Sequence, residues 1–128
     1  MTNMSTERLD ELVIPQEPVD PERLSRILSP YLRLSSDGQF RYQTSFADLS
    51  PPEKVLVVLL GELAQSSLGL STDDRLNPVE IARKAELELG AAYPSLRSLE
   101  QDGVVTNEAG QYRVDPSEFE RVVKRINS

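Results

Sequence analysis

The sequence predicts a mainly helical α+β fold, and three observations carry that expectation. First, a short polar residue followed by proline, with glutamate at the third helical position, occurs three times. These are Ser50-Pro51-Pro52-Glu53, Asn77-Pro78-Val79-Glu80 and Asp115-Pro116-Ser117-Glu118. Each reads as a helix start: the cap side chain accepts from a free backbone N–H, proline pre-sets φ, and glutamate reaches back to the cap. Second, apolar residues recur at helical spacing, most cleanly at Phe119, Val122, Val123 and Ile126, which stand at i, i+3, i+4 and i+7. Third, short β-prone runs flank turn-forming tetrapeptides at Ser35-Ser36-Asp37-Gly38 and Asn107-Glu108-Ala109-Gly110.

Taken in order, residues 1–20 read as an acidic tail. Pro15 and Pro18 lie among Gln16, Glu17 and Asp20, and Leu9, Leu12, Val13 and Ile14 supply the apolar content. Such a stretch is either a disordered tail or a docking segment, with Glu7–Ile14 forming an amphipathic turn or an added strand. Residues 21–49 read as an extension. Leu24, Ile27 and Leu28 share a helical face that ends by Pro30, and Tyr31–Leu34 and Gln39–Tyr42 form a hairpin around Asp37-Gly38. Residues 50–128 form the main domain. The run Val55–Leu60 has strand-like composition, but the start signal before it and its continuation through Glu62, Leu63 and Ala64 favour a helix buried on most sides. Gln65–Leu76 is expected to be a polar loop with Leu68 and Leu70 folded back on the core.

From Asn77 the pattern becomes a compact device. A helix with Ile81, Ala82, Ala85 and Leu89 on its apolar face is interrupted at Gly90. A second helix with Ala92, Leu96 and Leu99 inward stops at Asp102-Gly103, where glycine supplies a left-handed cap. The strands Val104–Thr106 and Gln111–Val114 follow. Helix, turn, helix, hairpin is the order of a winged helix-turn-helix, here with an N-terminal helix and β-hairpin extension. The expected core comprises Val55, Leu56, Leu59, Leu60, Leu63, Ile81, Ala82, Ala85, Leu96, Leu99, Val105, Tyr112, Val114, Phe119 and Val122.

The decapeptide Leu96-Arg97-Ser98-Leu99-Glu100-Gln101-Asp102-Gly103-Val104-Val105 resembles the end of the reading helix and the first wing strand in MarR- and ArsR-like regulators. The element pattern matches over about residues 50–126 and the residues themselves only over this decapeptide. The resemblance implies a second helix lying in a DNA major groove. With Ala92, Leu96 and Leu99 inward, the groove-facing positions are Ala91, Tyr93, Pro94 and Arg97, with Ser95 and Ser98 beside them. Arg97 suits a guanine edge or a phosphate, Tyr93 and Ser95 suit phosphates, and Arg113 on the second wing strand suits the backbone. Pro94 is expected in the first helical turn, where its missing N–H costs nothing. The face departs from the family in being nearly neutral, and the wing tip carries Glu108. Between Asn77 and Val114 the acidic residues outnumber the basic ones.

Composition limits the alternatives. The chain has 128 residues and a formal net charge of −7. It lacks cysteine and histidine, which removes disulfides, thiolate chemistry, the commonest metal ligand and every Ser-His or Cys-His pairing. No phosphate-cradling glycine motif occurs, Asp73-Asp74 alone is a poor cation site, and no cofactor or metal is expected. Asn3-Met4-Ser5 matches a glycosylation acceptor, but no secretory signal or membrane-length apolar run accompanies it, so a cytoplasmic location is expected. Of the 14 basic residues only Lys54, Lys84 and Lys124 are lysines. Acidic adaptation to high salt, as in a halophilic archaeon, and a GC-rich genome both fit that bias. Arg121, Lys124 and Arg125 either complement the dipole of the last helix or touch phosphate. The stripe Phe119, Val122, Val123 and Ile126 is either core or the seam of an expected homodimer. The function these features imply is a non-enzymatic DNA-binding transcriptional regulator. The alternative is an acidic winged-helix adaptor that binds another protein in a nucleic-acid-handling assembly.

Overall fold

A computed structural model of the chain describes residues 19–37, 39–70 and 73–127. Most of the expected acidic tail, with its docking segment and glycosylation-like tripeptide, lies outside the described residues, as does Gly38 of the first hairpin turn. The fold is α+β and mainly helical, with five α-helices and two antiparallel hairpins among the described residues.

Asp20 accepts from the Glu22 amide at 3.1 Å and opens α1, Pro21–Leu28, which buries Leu24 and Leu28. The strands β1, Leu32–Leu34, and β2, Phe40–Tyr42, pair with Leu32 opposite Tyr42 and Leu34 opposite Phe40. A 3-10 turn over Thr44–Asp48 then buries Phe46. Next comes α2, Pro51–Ser67, opened by the Ser50–Glu53 capping box. All of Val55–Leu60 is buried, so this helix is the axis of the molecule, and it contacts every other described helix and both hairpins. Its three valines each cost up to about 0.7 kcal/mol in helix propensity relative to alanine. Full burial returns roughly 1.5–3 kcal/mol for each such side chain, so packing outweighs the strand-like composition.

Asn77 and Glu80 cap α3, Pro78–Ala85, reciprocally at 2.9 and 3.2 Å. This helix ends at Glu86, which takes a left-handed conformation with φ 57°, and α4 spans Leu89–Gln101. The inter-helix turn therefore falls at Glu86–Glu88, four residues before the expected break at Gly90. Leu89, expected on the inner face of α3, opens α4 and is exposed, while half-buried Leu87 packs against the core. The Leu99 and Glu100 carbonyls at the end of α4 accept from the Val104 and Gly103 amides at 3.2 and 3.0 Å, with Gly103 at φ 78° as expected.

The hairpin expected as a wing is β3, Val105–Glu108, and β4, Gln111–Val114, closed by Ala109 and Gly110 at φ 54° and 84°. Two successive positive φ values define a type I′ turn, which gives a tight tip and little reach. Leu76 pairs with Tyr112 through amide-to-carbonyl bonds of 2.9 and 2.8 Å, so the loop before α3 adds a bridge to the wing. A second 3-10 turn, Pro116–Glu118, leads into α5, Phe119–Asn127.

Packing decides one open expectation and corrects two. Phe119, Val122 and Ile126 are buried and Val123 is half-buried, so of the two roles expected for the stripe the fold gives it that of core. Arg23 of α1 lies 5.4 Å over the Phe119 ring and pairs with Glu120, which holds α5 against the extension. Leu68 and Leu70 do not fold back: they are 63% and 46% exposed. The reason is the end of α2, where Gly69 at φ 75° and a Leu70 amide bonded to the Gln65 carbonyl at 2.9 Å turn the chain outward. Leu63 and Tyr112 are half-buried rather than core.

Candidate nucleic-acid interface

The inward stripe of α4 is Ala92, Ser95, Leu96 and Leu99, spaced i, i+3, i+4 and i+7. Ser95 is 4% exposed and donates its hydroxyl to the Ala91 carbonyl at 2.8 Å, so it does not belong to the groove-facing set. The full inward spacing was readable once Leu96 and Leu99 were placed; a hydroxyl simply satisfies itself on the preceding turn. Tyr93, Pro94 and Arg97 are exposed, and Ala91 and Ser98 are half-buried beside them. Gln101, one turn beyond Arg97, extends the face; the 93, 97, 101 spacing marks it in the sequence. Pro94 is the sixth residue of α4, inside the helix rather than in its first turn. Its missing amide leaves the Gly90 carbonyl without a helical donor on the exposed side.

Arg97 makes no hydrogen bond or ion pair among the described residues. Arg113 is committed instead: its Nε and Nη2 lie 3.1 and 2.9 Å from Asp74 Oδ2, with both side chains largely covered. Arg75 joins Asp73 at 3.0 Å and Glu108 at 3.2 Å, which ties the loop before α3 to the wing tip. The paired carboxylates of that loop thus act as anion partners for arginines, and no metal-holding cluster occurs among the described residues. Tyr112 lies where the wing meets α4. Burial raises its pKa, Glu100 and Tyr93 add to the rise, and Arg97 opposes it. Its hydroxyl accepts from Asn107 Nδ2 at 3.1 Å.

The basic cluster of α5 has a structural partner. Arg121 Nη2 donates to the Asp102 carbonyl at 2.6 Å, and Arg125 pairs with the Asp102 carboxylate. Two of the three cations therefore cap the carbonyl end of α4, complementing that helix's dipole rather than only their own. Lys124 remains exposed.

No helix among the described residues is long and apolar enough to cross a membrane. No family model, curated protein or solved structure matches the chain, so the likeness to MarR- and ArsR-like regulators rests on the quoted residues and the element order.

Proposed function

We propose that this chain is a non-enzymatic DNA-binding protein of the winged-helix type, a transcriptional regulator acting in the cytoplasm. The observation that carries the reading is the exposed Arg97 at the middle of the outward face of α4, which makes no hydrogen bond or ion pair among the described residues, whereas Arg113 on the hairpin is held by Asp74. With α4 in a major groove, Arg97 donates to a guanine edge and the Tyr93 hydroxyl to a phosphate. The wing contributes little charge, because Asp74 holds Arg113. Few phosphates are neutralised, and the salt dependence of binding is correspondingly shallow, with a slope on the order of 1–2 rather than the larger values of basic regulators.

A second reading, an acidic adaptor that binds a protein, is favoured by one specific observation. Leu89 and Tyr93, one turn apart on α4, are 43% and 47% exposed. Exposed apolar side chains at this spacing suit a protein surface better than a phosphate backbone.

Fluorescence anisotropy against duplexes from the surrounding genomic DNA, at two salt concentrations, separates the readings. The regulator predicts site-selective binding that weakens by about 1–3 kcal/mol in Arg97→Ala. Selective binding that survives Arg97→Ala contradicts the assigned face. The absence of selective binding at either salt contradicts the regulator and leaves the adaptor.

A further inference from the structure

A groove of about 310 Å³ lies between α1, β1 and the C-terminal end of α2, away from the α4–wing face. Its floor is apolar: Leu24, Leu28, Leu32 and Ala64 are buried beneath it, with Pro21 and the exposed Leu68 on its rim. Arg33 lines the same groove, and Arg26 lines the shallower depression that continues from it past Pro21 and Ser25. Both arginines are exposed, and neither side chain makes a hydrogen bond or ion pair among the described residues. An apolar trough with a basic edge calls for an acidic amphipathic segment.

The chain itself carries one at a short distance. Leu9, Leu12 and Val13 stand at i, i+3 and i+4, with Glu7, Asp10 and Glu11 between and beside them. Only Pro15-Gln16-Glu17-Pro18 separates Ile14 from Val19, which is half-buried against the core next to Pro21. Counted to Pro21, where the groove begins, and at about 3.3–3.6 Å per residue, that tether keeps Ile14 within roughly 25 Å of the groove's edge. A tether this short gives an effective concentration in the millimolar range, enough for a small apolar contact to form within one chain.

We propose that residues Glu7–Ile14 occupy this groove in the same molecule, with Leu9, Leu12 and Val13 on the apolar floor and the carboxylates toward Arg26 and Arg33. The N-terminal segment is then a built-in ligand that covers apolar surface between the extension and α2. The docking is independent of DNA binding, because it uses none of α4 or the wing.

The test is paramagnetic relaxation in the full chain, which lacks cysteine and so takes a single nitroxide cleanly at Thr6→Cys. The expected result is selective loss of the amide signals of Ser29, Arg33 and Leu68, unchanged on dilution. The same label combined with Leu9→Asp and Leu12→Asp should restore those signals, with the rest of the spectrum unaltered. Signal loss that is absent, or spread evenly over the surface, overturns the proposal. So does loss that survives the two aspartates. The same loss in a mixture of spin-labelled chains and isotope-labelled chains that carry no nitroxide overturns it in favour of a second copy.

Discussion

Tyr42 shows how much of this molecule depends on partners distant in sequence. Its ring stacks on Phe46 with centroids 4.2 Å apart, and its hydroxyl donates to the Lys84 carbonyl at the end of α3. Around it, Lys84 pairs with the buried Glu62 and lies 4.7 Å over the Phe40 ring. Phe40 in turn packs so closely on Gly61 that an added Cβ would come within 2.7 Å of its Cζ. Neither the sequence pattern nor any short motif marks these six residues as one cluster, because the contacts join the hairpin and the turn after it to α2 and α3 across long loops. Tyr42→Phe leaves a partly covered helix-end carbonyl without its donor, and a loss of about 1–2 kcal/mol in chemical denaturation is expected. Burial, reinforced by Glu86 and Glu62, holds the Tyr42 hydroxyl far above its ordinary pKa. A raised folded-state pKa means stability is fully present below about pH 10, the unfolded value, and is lost as pH rises beyond it. Denaturation midpoints measured between neutral pH and about pH 11 should fall for the wild type and fall less for Tyr42→Phe.

At the scale of elements, helix starts were legible and helix ends were not. The three start signals sit where helical structure begins, because a cap acts through residues adjacent in sequence. Three helix ends, α2, α3 and α4, share one construction: a left-handed residue, then an amide returning to a carbonyl five residues back. Glycine fills that position at Gly69 and Gly103, and Gly103 was foreseen. At α3 the position is held by Glu86, which carries no signal for it, so Gly90 drew the expected boundary too far along the chain. The Glu86→Gly variant relieves a left-handed side-chain conformation and should raise stability by about 0.5–1 kcal/mol, net of the entropy glycine adds to the unfolded chain. An unchanged or lowered thermal midpoint would mean that Glu86 contributes something beyond its backbone geometry. The outward face of α4 was legible for Tyr93, Pro94 and Arg97, whose exposed positions follow from the inward leucines. The occupation of Arg113 by Asp74 was not, since it depends on where the loop before α3 lies against the wing.

For the whole molecule, one core spans the extension and the elements that follow residue 50. Leu24, Leu28, Leu32 and Phe46 belong to the same buried cluster as Val55–Leu60 and Val122. The sequence division at residue 50 is therefore a boundary between elements rather than between independently buried cores. Leu28→Ala should cost about 2–4 kcal/mol. It should lower, by the same amount, the unfolding free energy read from amide exchange in α1 and in α5. A loss confined to α1 would show that the extension unfolds separately. The same continuity fixes α4 in place: it is held along its inner face by α2, α3 and β3 and at its carbonyl end by Arg121 and Arg125. The measurement closest to the central claim is an amide chemical-shift titration of the full chain with a selectively bound duplex. The expected result is perturbation concentrated over Ala91–Gln101, with weaker changes at the wing and none in the groove between α1 and β1. Perturbations that avoid α4, or that centre on the extension, would contradict the account.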